Sequence, residues 1–459
     1  MEINAYAGFI DYFNKDINGQ VNGIISFRSH GLVLKPFIFA LGLNAGLIHP
    51  KTMDERCTKA VCAYSPENSD RGFLGPLFAR DALIYSRNIP VIELLHQLPV
   101  SSFYNILKNT GVANLKQESF YGSALATGGF EVTMADVAKM YAGLANLGEV
   151  KNLKYIKESN DDEINYIMFS KEAAYLTIDM LYYNPKPYSF LGTDKAAWKT
   201  GTSYGYRDGW SAGIVGDYIL VVWVGNFNGK GSPYFQGRYL ASKLFFNVVS
   251  ALKRYYVVTF EPMPLLKDWN IKEVDICAPT GDLPSQFCPE VEKGYFISGV
   301  SPIKITDVYR QIPIDKKTGL RACYYNSDTA YLKTYEFWFA DTVLLFQKSG
   351  IRKEIPLKYM PDCKIQEISS IGRSPVIVTP SQNSSYQIYN NSAKDIPFTA
   401  STDRDADTVY WFLNAKYIGS SKSNEIFYWK SQAGDYIITA SDNLGRSTSS
   451  TFSVQILSN

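Results

Sequence analysis

The stretch Ala196-Ala197-Trp198-Lys199-Thr200-Gly201-Thr202-Ser203-Tyr204-Gly205 decides the fold. It reads as an apolar strand running into a Lys-Thr-Gly turn, and Lys-Thr-Gly is one of three short motifs that build a serine acyl-transfer site, with Ser-x-x-Lys and Ser-x-Asn. Downstream, residues 210–215 and 218–224 have the composition of two further strands, joined by the turn Gly216-Asp217. The expected unit is an antiparallel meander with the motif on an edge strand. A helix over residues 241–254 follows, with Leu244, Phe245, Val248, Val249 and Leu252 spaced as one buried face.

Upstream, Arg28-Ser29-His30-Gly31-Leu32-Val33-Leu34-Lys35-Pro36-Phe37 leads into the apolar residues 38–43. Pro36 fits only in the first turn of a helix, where its missing N–H has no intrahelical partner, so the helix is expected to begin near Leu32. A Ser-x-x-Lys nucleophile needs a serine at the helix start and a lysine three residues on, on the same face. Lys35 is in place, but the serine position holds Leu32, which has no nucleophilic atom. Ser29 lies six residues before Lys35, a separation that helix periodicity does not bring together.

The third motif is Ser86-Arg87-Asn88-Ile89-Pro90, after a helical pattern over residues 75–85. The proline is expected to force the chain out of helix around Asn88, leaving Ser86 and Asn88 at an element end beside a cleft. Alone, Ser-x-Asn reads as a helix-terminal cap; beside the other motifs it reads as part of the site. Thr133 with Asp136 forms a variant capping box at the start of an amphipathic helix, and residues 4–9 read as a short strand.

At 459 residues and 46% hydrophobic, the chain is long enough for two or three domains. The net charge of +2 and the lack of a basic run argue against nucleic acid as a partner. No signal peptide is legible after Met1, and no apolar run approaches the roughly 18 residues of a membrane span. Six cysteines stand at 57, 62, 277, 288, 323 and 363, none in Cys-x-x-Cys form and the last four far from His30, His49 and His96, so no metal site is expected. Their even number and the clustering of four favour disulfides in an oxidising compartment, reduced buried thiols being the alternative. Closing the Cys277 to Cys288 loop would contribute about 3 kcal/mol.

Composition shifts after Pro262 and Pro264. Three domains are expected: 1–255; a cysteine-bearing linking module over 256–368, with an aromatic anchor at Tyr335-Glu336-Phe337-Trp338 and a short helix over 341–346; and a β-sandwich over 369–459, with strands near 376–378, 409–413, 436–440 and 451–457.

The ordered set resembles the class A penicillin-binding proteins of the 1C type. It comprises Arg28-Ser29-x-Gly31-x-x-Leu34-Lys35-Pro36-Phe37, Ser86-Arg87-Asn88-Ile89-Pro90, Trp198-Lys199-Thr200-Gly201-Thr202-Ser203-Tyr204-Gly205, Cys277-Ala-Pro-Thr-Gly281 with Cys288-Pro289, Ser301-Pro302-Ile303, Tyr335-Glu-Phe-Trp338, Tyr410-Trp411 and Asp442-Asn-Leu-Gly445. The resemblance implies an α+β fold: a penicillin-binding/β-lactamase-like transpeptidase domain with an antiparallel sheet and helices, then the linking module and an Ig-like β-sandwich. It implies D,D-transpeptidation of peptidoglycan stem peptides in the periplasm, with no cofactor. Lys35 would be the base, Ser86 would relay a proton, Asn88 would hold the substrate amide, and Lys199, Thr200 and Gly201 would bind the stem-peptide or β-lactam carboxylate. Thr202 would add a hydroxyl contact and a backbone N–H to the oxyanion hole. The family's nucleophilic serine corresponds to Leu32 and its neighbouring threonine to Val33, so a catalytically silent recognition site is expected. The alternatives are an active half of a split bifunctional enzyme, partnered by a separate glycosyltransferase or cell-wall protein, and a gene remnant. The chain is expected to start inside the linker that precedes the transpeptidase domain, without the family's anchor and glycosyltransferase half.

Overall fold

The computed structural model describes residues 1–53, 75–112, 115–156, 165–187, 190, 195–255, 262–354, 356–364, 372–389 and 395–457; Cys57 and Cys62 lie outside them. The chain forms two compact units. One comprises residues 1–52, 78–275 and 293–303, the other residues 53–77, 276–292 and 304–459.

In the first unit, residues 4–9 form no strand; the N-terminus is pinned instead by a bridge between Glu2 and Lys154. The alternating side chains have no neighbouring strand to pair with, and Tyr6 and Phe9 stay exposed. β1 (Arg28–Ser29) pairs antiparallel with β2 (Glu131–Val132). Between them the chain turns through Gly31 and enters α1 (Lys35–Asn44). Pro36 sits in the first turn as predicted, but the α-helix starts at Lys35, and Leu32 lies in the preceding turn, where its carbonyl accepts from Lys35 N at 3.3 Å. α1 is buried almost all round, with Phe37, Ile38, Leu41 and Leu43 in the core. Each such side chain stabilises the fold by about 1.5–3 kcal/mol relative to exposure.

α2 (Ala79–Ile84) is shorter than the pattern suggested, and α3 (Asn88–Gln97) reverses the expectation at Pro90. The proline does not expel the chain from a helix; it sits in the first turn of a new one, where the N–H it lacks would have had no acceptor. Ser86 occupies the turn between α2 and α3 with a positive φ of 55°. α4 (Ser102–Asn109) and α5 (Met134–Ala145) follow. The capping box on α5 forms as read: Asp136 N donates to Thr133 Oγ1 at 3.0 Å and Thr133 N to the Asp136 carboxylate at 2.9 Å.

β3 (Glu149–Val150) pairs with β4 (Tyr166–Ile167) ahead of the buried α6 (Lys171–Tyr182). The meander is then β5 (Ala197–Thr202), β6 (Asp208–Val215) and β7 (Tyr218–Gly225), with β5 at one edge. Lys199-Thr200-Gly201 lies inside β5 and not at a turn, since Lys199 to Thr202 pair with Ala212 to Gly209. α7 (Ser242–Tyr255) buries Phe245, Phe246 and Val249 and leaves Leu244 45% exposed. The predicted face is thus rotated. Phe246 packs edge-on against Trp198 at 4.9 Å, and an aromatic ring buries more area there than Leu244 would.

β8 (Ile271–Cys277) and β9 (Val291–Ile297) form a hairpin, and a disulfide joins Cys277 to Cys288. In the second unit β10 (Tyr309–Asp315) pairs with β11 (Ala330–Glu336), a second disulfide joins Cys323 to Cys363, and α8 (Ala340–Lys348) is the expected short helix. Phe337 and Trp338, just before it, are buried.

The sandwich has a three-stranded sheet, β12 (Val376–Thr379), β14 (Asp395–Ser401) and β17 (Phe427–Lys430), in the order β12-β14-β17. Its five-stranded sheet runs β13-β19-β18-β15-β16, from β13 (Ser384–Tyr389), β15 (Thr408–Leu413), β16 (Lys416–Lys422), β18 (Gly434–Asp442) and β19 (Ser447–Leu457). Phe398, Trp411 and Phe452 fill the space between.

Candidate active site

The site is built where the turn before α1, the turn before α3 and strand β5 converge. Gly31 and Gly201 make that convergence close enough. A Cβ on Gly31, which has φ +56°, would lie 2.6 Å from Thr202 N, and one on Gly201 would lie 2.6 Å from His30 O and about as near the backbone nitrogens of Leu32 and Val33. The turn is tied from behind by Trp210 Nε1, which donates to Ser29 O at 2.8 Å, and by the Tyr141 hydroxyl, which donates to Val33 O at 2.7 Å. Burial of the Tyr141 phenol pushes its pKa well up, which keeps that donor protonated.

Lys35 is 1% exposed, and its Nζ donates to Ser86 O at 2.8 Å, Arg87 O at 2.7 Å and Asn88 Oδ1 at 2.8 Å. Only the ammonium form has enough N–H groups to serve all three oxygens. Burial works against that charge, and so do the Lys199 and Arg87 cations, so the pKa of Lys35 lies well below that of a free lysine. Lys199 is fully buried; its Nζ contacts Ser86 Oγ and donates to Thr200 O at 3.0 Å. Its pKa falls to about 7, through burial first and the Arg238 and Arg87 charges second. Thr202 Oγ1 accepts from Gly237 N at 3.0 Å and keeps its own proton to donate. The wall therefore brings together Lys35, Ser86, Asn88, Lys199 and the Gly201-Thr202 backbone.

Leu32 stands against that backbone, its N 3.0 Å from a Cβ built on Gly201, and its aliphatic side chain is buried with 7% of the residue's surface exposed. Ser29 is elsewhere, its Oγ donating to Gly128 O. Sequence reasoning passed over Arg87 and Arg238, whose charges press on both lysines or on Lys199 alone; the Ser86-Arg87-Asn88 motif could have flagged Arg87, whereas Arg238 lies in no motif. Tyr141, which the helix pattern marks as core, is core and also ties the turn before α1, and His30, weighed in the sequence only as a metal ligand, lies in the interior. The His30 ring is buried against Phe130 with centroids 4.3 Å apart, and burial lowers its pKa to about 3.

The edge β5, the helix-borne lysine and the Ser-x-Asn turn define a penicillin-binding transpeptidase domain: residues 29–234 match the family described as penicillin binding protein transpeptidase domain, 269–311 match penicillin-binding protein 1A, C-terminal domain, and 366–456 match the penicillin-binding protein C-terminus family. The chain carries the transpeptidase domain and the C-terminal domain of penicillin-binding proteins.

It is similar to penicillin-binding protein 1C of Escherichia coli strain K12, 31% identical over 233 residues that make up 50% of this chain and 30% of that one. It is also similar to penicillin-binding protein 1B of Buchnera aphidicola subsp. Baizongia pistaciae, 25% identical over 56% of this chain and 36% of that one. The chain spans about a third of the length of these curated relatives. The crystal structure of penicillin-binding protein 1A from Haemophilus influenzae superposes with a TM-score of 0.51 at 22% identity, over 63% of this chain and 51% of that one, a likeness of fold.

Proposed function

We propose that this chain acts in peptidoglycan synthesis as a recognition module that holds a stem peptide or a β-lactam by its carboxylate without forming an acyl-enzyme. The observation that carries the reading is the pairing of an assembled cationic wall with an inert Leu32. Lys199, with Arg87 and Arg238 near it, attracts an anion, and Asn88 and the Thr202 N–H and hydroxyl supply polar contacts. The reading is supported by Leu32 at the position three residues before Lys35, where a Ser-x-x-Lys motif has its serine, and loss of the nucleophile alone costs about a million-fold in comparable serine enzymes. Lys35, which would act as the base, has no reacting proton to take from Leu32. A periplasmic location fits two disulfides, which persist in oxidising compartments.

The test is equilibrium binding of benzylpenicillin and of a D-alanyl-D-alanine stem pentapeptide by calorimetry. Reversible binding is expected, weakened about tenfold or more by Lys199→Ala, and tighter below pH 7 than above because the carboxylate needs the ammonium form. Binding that is indifferent to both Lys199→Ala and pH, or absent at millimolar ligand, would refute the reading.

A further inference from the structure

The five-stranded sheet of the sandwich has an outer face that the transpeptidase reading does not use. The pleat turns Val409, Trp411 and Leu413 of β15 into the core, so Tyr410 and Phe412 point outward. On the neighbouring strand β16, Tyr417 lies opposite Phe412, with ring centroids 5.6 Å apart and tilted at 61°. On the other side β18 presents Ile437 and Thr439, and Thr439 shares a 2.7 Å hydrogen bond with Ser449 of β19. Tyr410, Tyr417 and Ile437 are 39%, 54% and 52% exposed.

The face grades in one direction. From the aromatic end at β15 and β16 it passes into hydroxyls at β18, then into alternate residues of β19 from Ser447 to Ser453, which are all serine or threonine. Each ring is flanked across the strands by hydroxyl groups: Tyr410 lies opposite Ser420 and Ser441, and Phe412 opposite Thr439. Charge enters this face, among the described strand residues, at Lys422 and Asp435. In a chain with 20% charged residues a sheet face this neutral is unusual, and it disfavours nucleic acid, anionic lipid and acidic peptide alike.

We propose that this face binds an uncharged polysaccharide strand. A pyranose ring has an apolar C–H face and a rim of hydroxyls; the first stacks on a tyrosine or phenylalanine ring, and the second exchanges hydrogen bonds with serine and threonine, which both donate and accept. The geometry meets both needs side by side, with rings at successive outward positions of β15, about 7 Å apart, and hydroxyl rows running parallel to them. A neutral ligand avoids the desolvation cost that a charged one would meet on an aromatic surface.

The experiment uses the full chain, with insoluble chitin for co-sedimentation and chitohexaose for calorimetry. The native chain is expected to pellet with chitin and to bind chitohexaose. The double variant Tyr410→Ala/Tyr417→Ala is expected to bind at least about tenfold more weakly while remaining folded, with a melting temperature lowered by a few degrees through loss of the cross-strand contact with Phe412. Tyr410→Phe/Tyr417→Phe, which keeps the stacking faces, should stay within about threefold of native. The proposal is overturned if the native chain binds neither probe, if the alanine pair binds as well as native, or if chitin and the anionic polysaccharide alginate retain the chain equally. It is also overturned if the face proves to hold a second copy of the chain, seen as a dimer that the alanine pair dissociates and chitohexaose neither binds nor disperses.

Discussion

Leu32 and Lys199 carry the functional argument at the scale of single residues. Lys199 sits fully buried with a pKa of about 7, whereas an unfolded lysine titrates near 10.4. Its folded pKa is the lower of the two, so between these values the unfolded chain binds more protons. The destabilising effect of burying the charge is fully present below pH 7 and is relieved as pH rises above it. Denaturant midpoints should therefore increase from pH 7 to pH 9, and Lys199→Met should remove part of that increase; an unchanged slope in the variant would contradict the assignment. The identities of Lys35, Ser86, Asn88 and Lys199, and the anomaly at position 32, were all legible in the sequence. The encounter of Ser86 Oγ with Lys199 was not, because it joins residues 113 positions apart through a positive-φ turn that no local pattern announces.

At the scale of elements, the two glycines that let β5 approach the turn before α1 matter more than any propensity. Gly201→Ala would place a methyl 2.6 Å from His30 O, and the backbone cannot yield as a flexible side chain could. The variant should unfold at lower denaturant than native and should lose carboxylate-ligand binding even where it stays folded, since the wall would separate. Thr133→Ala removes the hydroxyl half of the cap on α5, the bonds of Thr133 Oγ1 with Asp136, while the Thr133 N–H can still donate to the Asp136 carboxylate, and should cost about 1 kcal/mol in urea unfolding without altering ligand binding. The cap was readable because it is local. Pro90 was misread because proline marks both the end of one helix and the first turn of the next, and only tertiary packing decides between them. Likewise Lys199-Thr200-Gly201 looked like a turn from its glycine, yet β6 extends the pairing through it. The burial of Phe246 over Leu244 depends on where Trp198 lies, which helix periodicity cannot know.

Across the whole molecule, the alternation of short strands after residue 375 made the sandwich legible, but the buried ion cluster in the same unit was not. Asp403 has a fully buried side chain and meets Arg310, Arg373 and, at 3.7 Å, Arg446. Burial alone would raise its pKa; the arginines outweigh that and hold it below the ordinary carboxylate value. Its contribution is present above the unfolded pKa near 3.9 and is lost as pH falls through the folded value. Asp403→Asn should cost roughly 3–5 kcal/mol in the stability of this unit, because it strands buried arginine charge. Among the described residues no helix is long and apolar enough to cross a membrane, and the two disulfides bind segments 11 and 40 positions apart.

The central claim is that an otherwise assembled acyl-transfer wall is silenced by one residue, and labelling with fluorescent penicillin, read by denaturing gel and intact mass, tests it most directly. The account predicts no covalent adduct on the native chain and a single penicilloyl adduct on Leu32→Ser. A stable adduct on the native chain, at whichever residue, would contradict it.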